Sequence, residues 1–301
     1  MKVAVLNLFR WKNILLLIYL QLLIKYVVFT SFNITTTLSL LHSIIYIFSV
    51  TFIMAAGYVI NDVIDLKADL INKPTEVVVS KKISIETAKQ FYKILNTLGI
   101  LLGIFISFHL NKPTYVFYFL GASLLLYYYS KKLKSIPFIG NLSIALLISF
   151  SIFLPFLIDV KHNNYSQNYA LVRNIIIGLG LFAFLINLAR EILKDIIDIN
   201  GDYTLNIKTL PILLGNKRTL YLIAVICSIT VALLLFAVVV FASNYKLISL
   251  YLLFFSVLPL LYFSIKITKQ KSLQKLRRMS LYLKLIMFFG CNSLLLIILY
   301  N

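Results

Sequence analysis

The sequence predicts an all-α integral membrane protein, a bundle of about nine transmembrane helices with loop helices carrying two Asp-rich motifs, and three observations predict it. First, 61% of the 301 residues are hydrophobic and mean hydropathy is +0.94, far outside the balance of a soluble globular domain. Second, the apolar residues form runs near 13–31, 41–60, 94–110, 114–129, 136–158, 172–189, 219–242, 247–265 and 281–300. Each is long enough for a spanning helix, and none alternates as a transmembrane strand would. Third, the net charge of +19 comes from basic residues that punctuate these runs instead of forming one stripe. That pattern fits loops on anionic lipid and excludes nucleic-acid binding. Residues 1–301 read as a single domain.

Along the chain, Lys2, Arg10 and Lys12 precede the first run with no small-residue cleavage site after it, so this segment reads as a retained span. Lys25 lies inside that run, close enough to its outer end for the stem to snorkel to the interface. Ala55-Ala56-Gly57 allows close helix approach in the second run. Asn72-Lys73-Pro74-Thr75 then breaks the chain, and Ser84 with Glu86 starts the helix that enters the third run. Gly140-Asn141 opens the fifth run; after the sixth, Thr209-Leu210-Pro211 and Gly215-Asn216 form breaks. Cys227 and Cys291 show no partner spacing, and His42, His109 and His162 are scattered, each expected in a loop or at a span end.

Twenty-four Lys and Arg fall before the first span and after spans two, four, six and eight, against four in the opposite loops. The positive-inside rule therefore places the N-terminus and both acidic stretches in the cytoplasm and the C-terminus outside, in the cell (inner or plasma) membrane.

Nine of the ten acidic residues lie between Asp62 and Glu86 or between Glu191 and Asp202. Asp62, Asp65 and Asp69 follow the second span; Asp195, Asp198 and Asp202 follow the sixth, at the same i, i+3, i+7 spacing, which places each trio on one helix face. Solvated loop charge, a cation-coupled transporter and a divalent-metal site compete here. Duplication of the spacing weighs against the first, and position at span ends instead of mid-span against the second. Converging carboxylates need cations to neutralise them, and an oxygen-only donor set selects Mg²⁺, with Mn²⁺ as the alternative. Two such faces could hold a diphosphate between metal ions.

Asn61-Asp62-x-x-Asp65-x-x-x-Asp69 and Asp198-x-x-x-Asp202 resemble the paired aspartate motifs of the UbiA superfamily of intramembrane prenyltransferases. Tyr129-Ser130-Lys131-Lys132-Leu133-Lys134, followed by Gly140-Asn141, resembles a third segment of that family. The resemblance covers essentially the whole chain. It implies a prenyl diphosphate donor, Mg²⁺-assisted ionisation to an allylic cation, and a tunnel lined by aromatic side chains. As metal ligands it implies Asn61, Asp62, Asp65, Asp69, Asp195, Asp198 and Asp202, with Asp65, Asp69, Asp198 and Asp202 as the catalytic carboxylates. Lys73, Tyr129, Lys134 and Lys208 are the implied diphosphate contacts. The sequence departs from the family pattern at Lys73, where arginine is usual, and at Asn206, where glycine is usual; asparagine tolerates left-handed backbone.

Arg190-Glu191-Ile192-x-Lys194-Asp195-x-x-Asp198-x-x-Gly201-Asp202 resembles the second motif of the geranylgeranylglycerol-phosphate geranylgeranyltransferases. This implies geranylgeranyl diphosphate as donor and a glycerol-phosphate lipid as acceptor, with an aromatic acceptor of quinone biosynthesis (hydroxybenzoate or dihydroxynaphthoate) as the alternative. The CDP-alcohol phosphotransferase pattern fails, because Leu66 follows Asp65 where that pattern needs glycine.

Overall fold

The computed structural model describes residues 2–161 and 167–300, so His162 lies outside the described residues. After a short helix α1 (Lys2–Leu8), Arg10 turns the chain in left-handed backbone, φ 51°, into α2 (Trp11–Leu23). The second span is α3 (Leu40–Ile64), capped by Ser39, whose Oγ accepts from His42 N. The short α4 (Leu66–Asn72) follows, and Asn72-Lys73-Pro74 ends it as expected. Ser84 caps α5 (Ile85–His109), with Oγ accepting from Thr87 N at 3.1 Å. Helix α5 packs along α3 at close range: a Cβ on Gly99 would stand 2.7 Å from Ile53 Cγ1, and Ser49 Oγ donates to Gly99 O at 2.7 Å. His42 and His109, scattered in sequence, stack here with ring centroids 3.6 Å apart, at the start of α3 and the end of α5.

Helix α6 (Val116–Lys131) returns along the bundle, α7 (Ile139–Asp159) leaves again, and α8 (Gln167–Ile197) comes back with 31 residues. The core centres on α8, where Val172, Ile176, Ala183, Ile186, Ile192 and Leu193 are fully buried. After the short α9 (Ile199–Thr204) and α10 (Leu210–Leu214), the bundle is completed by α11 (Asn216–Ala242), α12 (Lys246–Leu252), α13 (Leu258–Ile267) and α14 (Leu273–Asn292).

Eight helical stretches of the described residues are long and apolar enough to cross a membrane. The run expected at 114–129 is helical as α6, whose 16 residues make it shorter than those eight. It nevertheless runs the length of the bundle. Tyr115, just before it, donates to Leu157 O beside the far end of α7, and Ser130 in its last turn reaches Asn61. The two acidic stretches therefore share one end of the molecule.

Lys25 does not snorkel. Its Nζ is 2.7 Å from Asp159 Oδ2 and also donates to Leu38 O and Ser43 Oγ. Asp159 Oδ1 in turn accepts from Thr37 N and Leu38 N. A carboxylate 134 residues away makes retention inside the bundle better than extension to the interface.

Candidate active site

The site is assembled where the two acidic stretches leave their spans. Both helices bend at the middle aspartate: Asp65 (φ −79°, ψ 1°) separates α3 from α4, and Asp198 (φ −98°, ψ 9°) separates α8 from α9. The expectation of one straight helical face is corrected to two bent ones. The i→i−4 ladder persists through each bend, from Asp69 N to Asp65 O and from Asp202 N to Asp198 O, so the carboxylates stay close to one side.

One side chain joins the two bends. Asn72, the last residue of α4, donates from Nδ2 to Asp198 O at 2.9 Å and accepts at Oδ1 from Gly201 N at 2.8 Å. Its amide thus satisfies the Gly201 N–H at the bend of α8 into α9 and adds a second donor to the Asp198 carbonyl, which also accepts from Asp202 N. Gly201 is required by the fit: a Cβ there would lie 2.4 Å from Asn72 Nδ2 and 2.8 Å from Ala68 O.

Most of the motif carboxylates have a polar partner. Asp62 pairs with Arg10 at 2.9 Å, Asp69 with Lys73 at 3.2 Å, and Asp65 with Lys134 at 2.5 Å. Asn61 Nδ2 donates to Asp65 Oδ2 at 2.8 Å, and Asn141 Nδ2 donates to Asp195 Oδ2 at 2.8 Å. Asp202 is different: it is buried, and its Oδ1 has no partner. Among the described residues no three His, Cys, Asp or Glu side chains converge on one point.

Burial pushes the Asp202 carboxyl up to about 7, with Asp198 and Asp65 adding to the rise and Lys134 opposing it. Burial likewise raises Asp69 and Asp198, against nearby lysines. At Lys134 burial favours the neutral amine, but Asp65 outweighs it and the pKa rises. Burial is thus the main cost of charge on these carboxylates, and the nearby lysines offset only part of it.

Of the implied diphosphate contacts, Lys73 and Lys134 sit on the first motif, and Tyr129 lies within electrostatic reach of Glu191, Asp195 and Asp65. Lys208 is exposed beyond α9, and the structure does not bring it to the carboxylates. The turn before it does form, with Asn206 at φ 55°. Sequence reasoning did not assign Arg10, Ser130 or the amide of Asn72 to the site. The Tyr-Ser-Lys-Lys-Leu-Lys segment contained a signal for Ser130; no local signal existed for Arg10.

Two cavities lie on either side of the Arg10–Tyr58 contact. A polar one, about 450 Å³, is lined by Arg10, Asp62, Asp69, Lys73 and Lys82 among others. An apolar one, about 190 Å³, runs between α2, α3, α6, α7, α8 and α14. Its wall is mainly aliphatic; Tyr58, Tyr118, Phe119 and Phe150 are the aromatic members of that wall. The tunnel implied by the resemblance thus has four aromatic members, whereas many of the chain's phenylalanines face outward, where lipid would lie, among them Phe48, Phe105, Phe117, Phe236 and Phe254. Arg10 divides the two spaces, its guanidinium over the Tyr58 ring at 4.6 Å.

Known proteins share this arrangement. The UbiA prenyltransferase family matches over residues 16–291. A digeranylgeranylglyceryl phosphate synthase of Methanobrevibacter smithii is 34% identical over 238 residues, 78% of this chain and 80% of that one. The enzyme of that name from Saccharolobus solfataricus is 35% identical over 244 residues, 81% of this chain and 80% of its own. A solved structure of work on digeranylgeranylglyceryl phosphate synthase in membranes superposes with a TM-score of 0.63 at 28% identity, covering 97% of this chain and 96% of that one. A UbiA homologue from Archaeoglobus fulgidus, bound to GPP and Mg²⁺, superposes at 0.56 with 20% identity, over 97% and 99% of the two chains; this last likeness is one of fold.

Proposed function

The chain belongs to the UbiA prenyltransferase family and is a prenyltransferase; we propose that it moves a geranylgeranyl group from geranylgeranyl diphosphate to the free glycerol hydroxyl of geranylgeranylglyceryl phosphate. The observation that carries this reading is the meeting of two carboxylate motifs, tied by Asn72, beside an apolar cavity. A diphosphate and a hydrocarbon tail need those two environments side by side.

The residues fit a divalent cation. The donors are oxygens alone, one buried carboxylate oxygen of Asp202 has no partner, and burial raises the pKa of Asp69, Asp198 and Asp202, so a cation beside them would offset the cost of their charge. We assign Asn61, Asp65, Asp69, Asp198 and Asp202 to Mg²⁺ or Mn²⁺, with Asp62 and Asp195 in support. When bound, the metal supplies positive charge against the charge gathering on the departing diphosphate.

The chain's own cations do the rest. Lys73, Lys134 and Arg10, now held by Asp69, Asp65 and Asp62, turn to phosphate oxygens as those carboxylates take up other positive charge. We assign the hydroxyl of Tyr129 and the exposed Lys208 to further contacts with the diphosphate. The bond between the allylic carbon and the diphosphate oxygen breaks, its electron pair leaving with diphosphate. The glycerol oxygen bonds to that carbon and then loses its proton, giving an ether, diphosphate and one proton. The aliphatic wall excludes water, which would otherwise capture the cation. The charge pattern favours a site facing the cytoplasm, with the C-terminus outside.

The test is a mass-spectrometric turnover assay in nanodiscs with geranylgeranyl diphosphate, Mg²⁺ and three acceptors: geranylgeranylglyceryl phosphate, 4-hydroxybenzoate and dihydroxynaphthoate. A digeranylgeranyl ether lost with EDTA and with Asp198→Asn is the expected result. An aromatic product in its place overturns the acceptor.

A further inference from the structure

The apolar cavity has one polar corner, and that corner is positive. Arg190, Lys284, Asn13, Tyr58 and Asn187 all line it. Lys284 Nζ donates to Asn13 Oδ1, and among the described residues no carboxylate lies within ion-pair distance of Lys284. Arg190 has Glu191 alone, at 3.8 Å, and that carboxylate is held more closely by Lys194, at 2.5 Å. Two cations thus share one carboxylate, and Lys284 has none. The Arg190 Nε is buried and has no hydrogen-bond partner. In an otherwise aliphatic cavity, surplus cations and an unused guanidinium donor call for an anion with several acceptor oxygens.

We infer that Arg190, Lys284 and Asn13 form the docking site for the phosphate of the acceptor lipid. A phosphomonoester, at about −2 charge near neutral pH, matches the surplus. Arg190 lies in α8, seven residues before its last residue Ile197 and about 11 Å of rise from the bend at Asp198, so the anchored phosphate and the ionising donor would occupy neighbouring levels of one cavity. The donor's diphosphate has its own cations, Lys73, Lys134 and Arg10, on the other side of Tyr58. This inference rests on the glycerol-phosphate reading of the acceptor.

The test compares geranylgeranylglyceryl phosphate with its dephosphorylated alcohol as acceptors, in wild type and in Arg190→Gln, Lys284→Met and Lys284→Arg. Wild type is expected to favour the phosphate in KM by about 30-fold. Arg190→Gln and Lys284→Met should each erase most of that preference while the alcohol's KM and the donor's KM stay close to wild type. Lys284→Arg should keep it. Turnover of the alcohol serves as the folding control. Equal losses for phosphate and alcohol, or a rise in donor KM instead, would overturn the site. So would a wild type that takes the phosphate without preferring it, leaving the acceptor reading intact. Turnover with an aromatic acceptor alone overturns that reading and this site together.

Discussion

At the scale of residues, Asn72 and Gly201 hold the two motifs in register without touching the chemistry. Asn72→Ala removes both hydrogen bonds across the junction. It is expected to lower turnover and raise the Mg²⁺ concentration for half-activity by about 10- to 100-fold, as loss of a ligand-orienting partner does; steady-state assays over a Mg²⁺ series check this. Gly201→Ala should act in the same direction, because its Cβ would displace the Asn72 amide. Asp65→Asn and Asp198→Asn remove charge at the bends themselves, and a fall in kcat on the order of 10²–10³ is expected from single-turnover measurements. The carboxylates were legible in the sequence because their spacing is local and repeated. The left-handed Asn206 was expected on other grounds, the glycine usual at that place in the family it resembles and the tolerance of asparagine for that backbone. The Asn72 clamp was not: its residue type announced only a helix end, and its partners lie 126 and 129 residues away.

At the scale of elements, the ion pair of Lys25 and Asp159 ties the end of α2, the loop into α3 and the end of α7. Both side chains are nearly buried, 11% and 4% exposed. Breaking a buried pair by removing one partner costs about 3–5 kcal/mol. Lys25→Met and Asp159→Asn should therefore each lower the thermal midpoint in detergent by several degrees, whereas Lys25→Met combined with Asp159→Asn, which keeps an acceptor for Thr37 N and Leu38 N, should recover much of the loss. Sequence reading found both residues and missed the pairing. An intramembrane lysine near a span end fits snorkelling by local criteria, and only the packed bundle shows a carboxylate in reach. Helix starts and stops were legible at Ser84, Pro74 and Gly215, where caps and breakers act within a few residues. The bend at each middle aspartate was not, since that aspartate keeps its own i→i−4 bonds to both sides and the residues flanking it carry no breaker.

At the scale of the whole molecule, the motif end and the end carrying Lys25, Asp159 and the histidine stack lie on opposite faces of the bundle. Lys67 and Thr114 are exposed at these two ends. In right-side-out vesicles a membrane-impermeant maleimide should label Thr114→Cys and spare Lys67→Cys, with the pattern reversed in inverted vesicles; Cys227 and Cys291 are buried and should stay silent. Mg²⁺ should raise the thermal midpoint by mass action on the folded state, an effect lost in Asp198→Asn. The clamp between α4 and α9 has a further consequence for biosynthesis. A ribosome inserts the first motif long before the second, and the nascent chain holds half a catalytic centre until α8 has entered the membrane. On the proposed mechanism, a truncated or stalled chain would therefore sit in the bilayer without releasing reactive allylic cations into it.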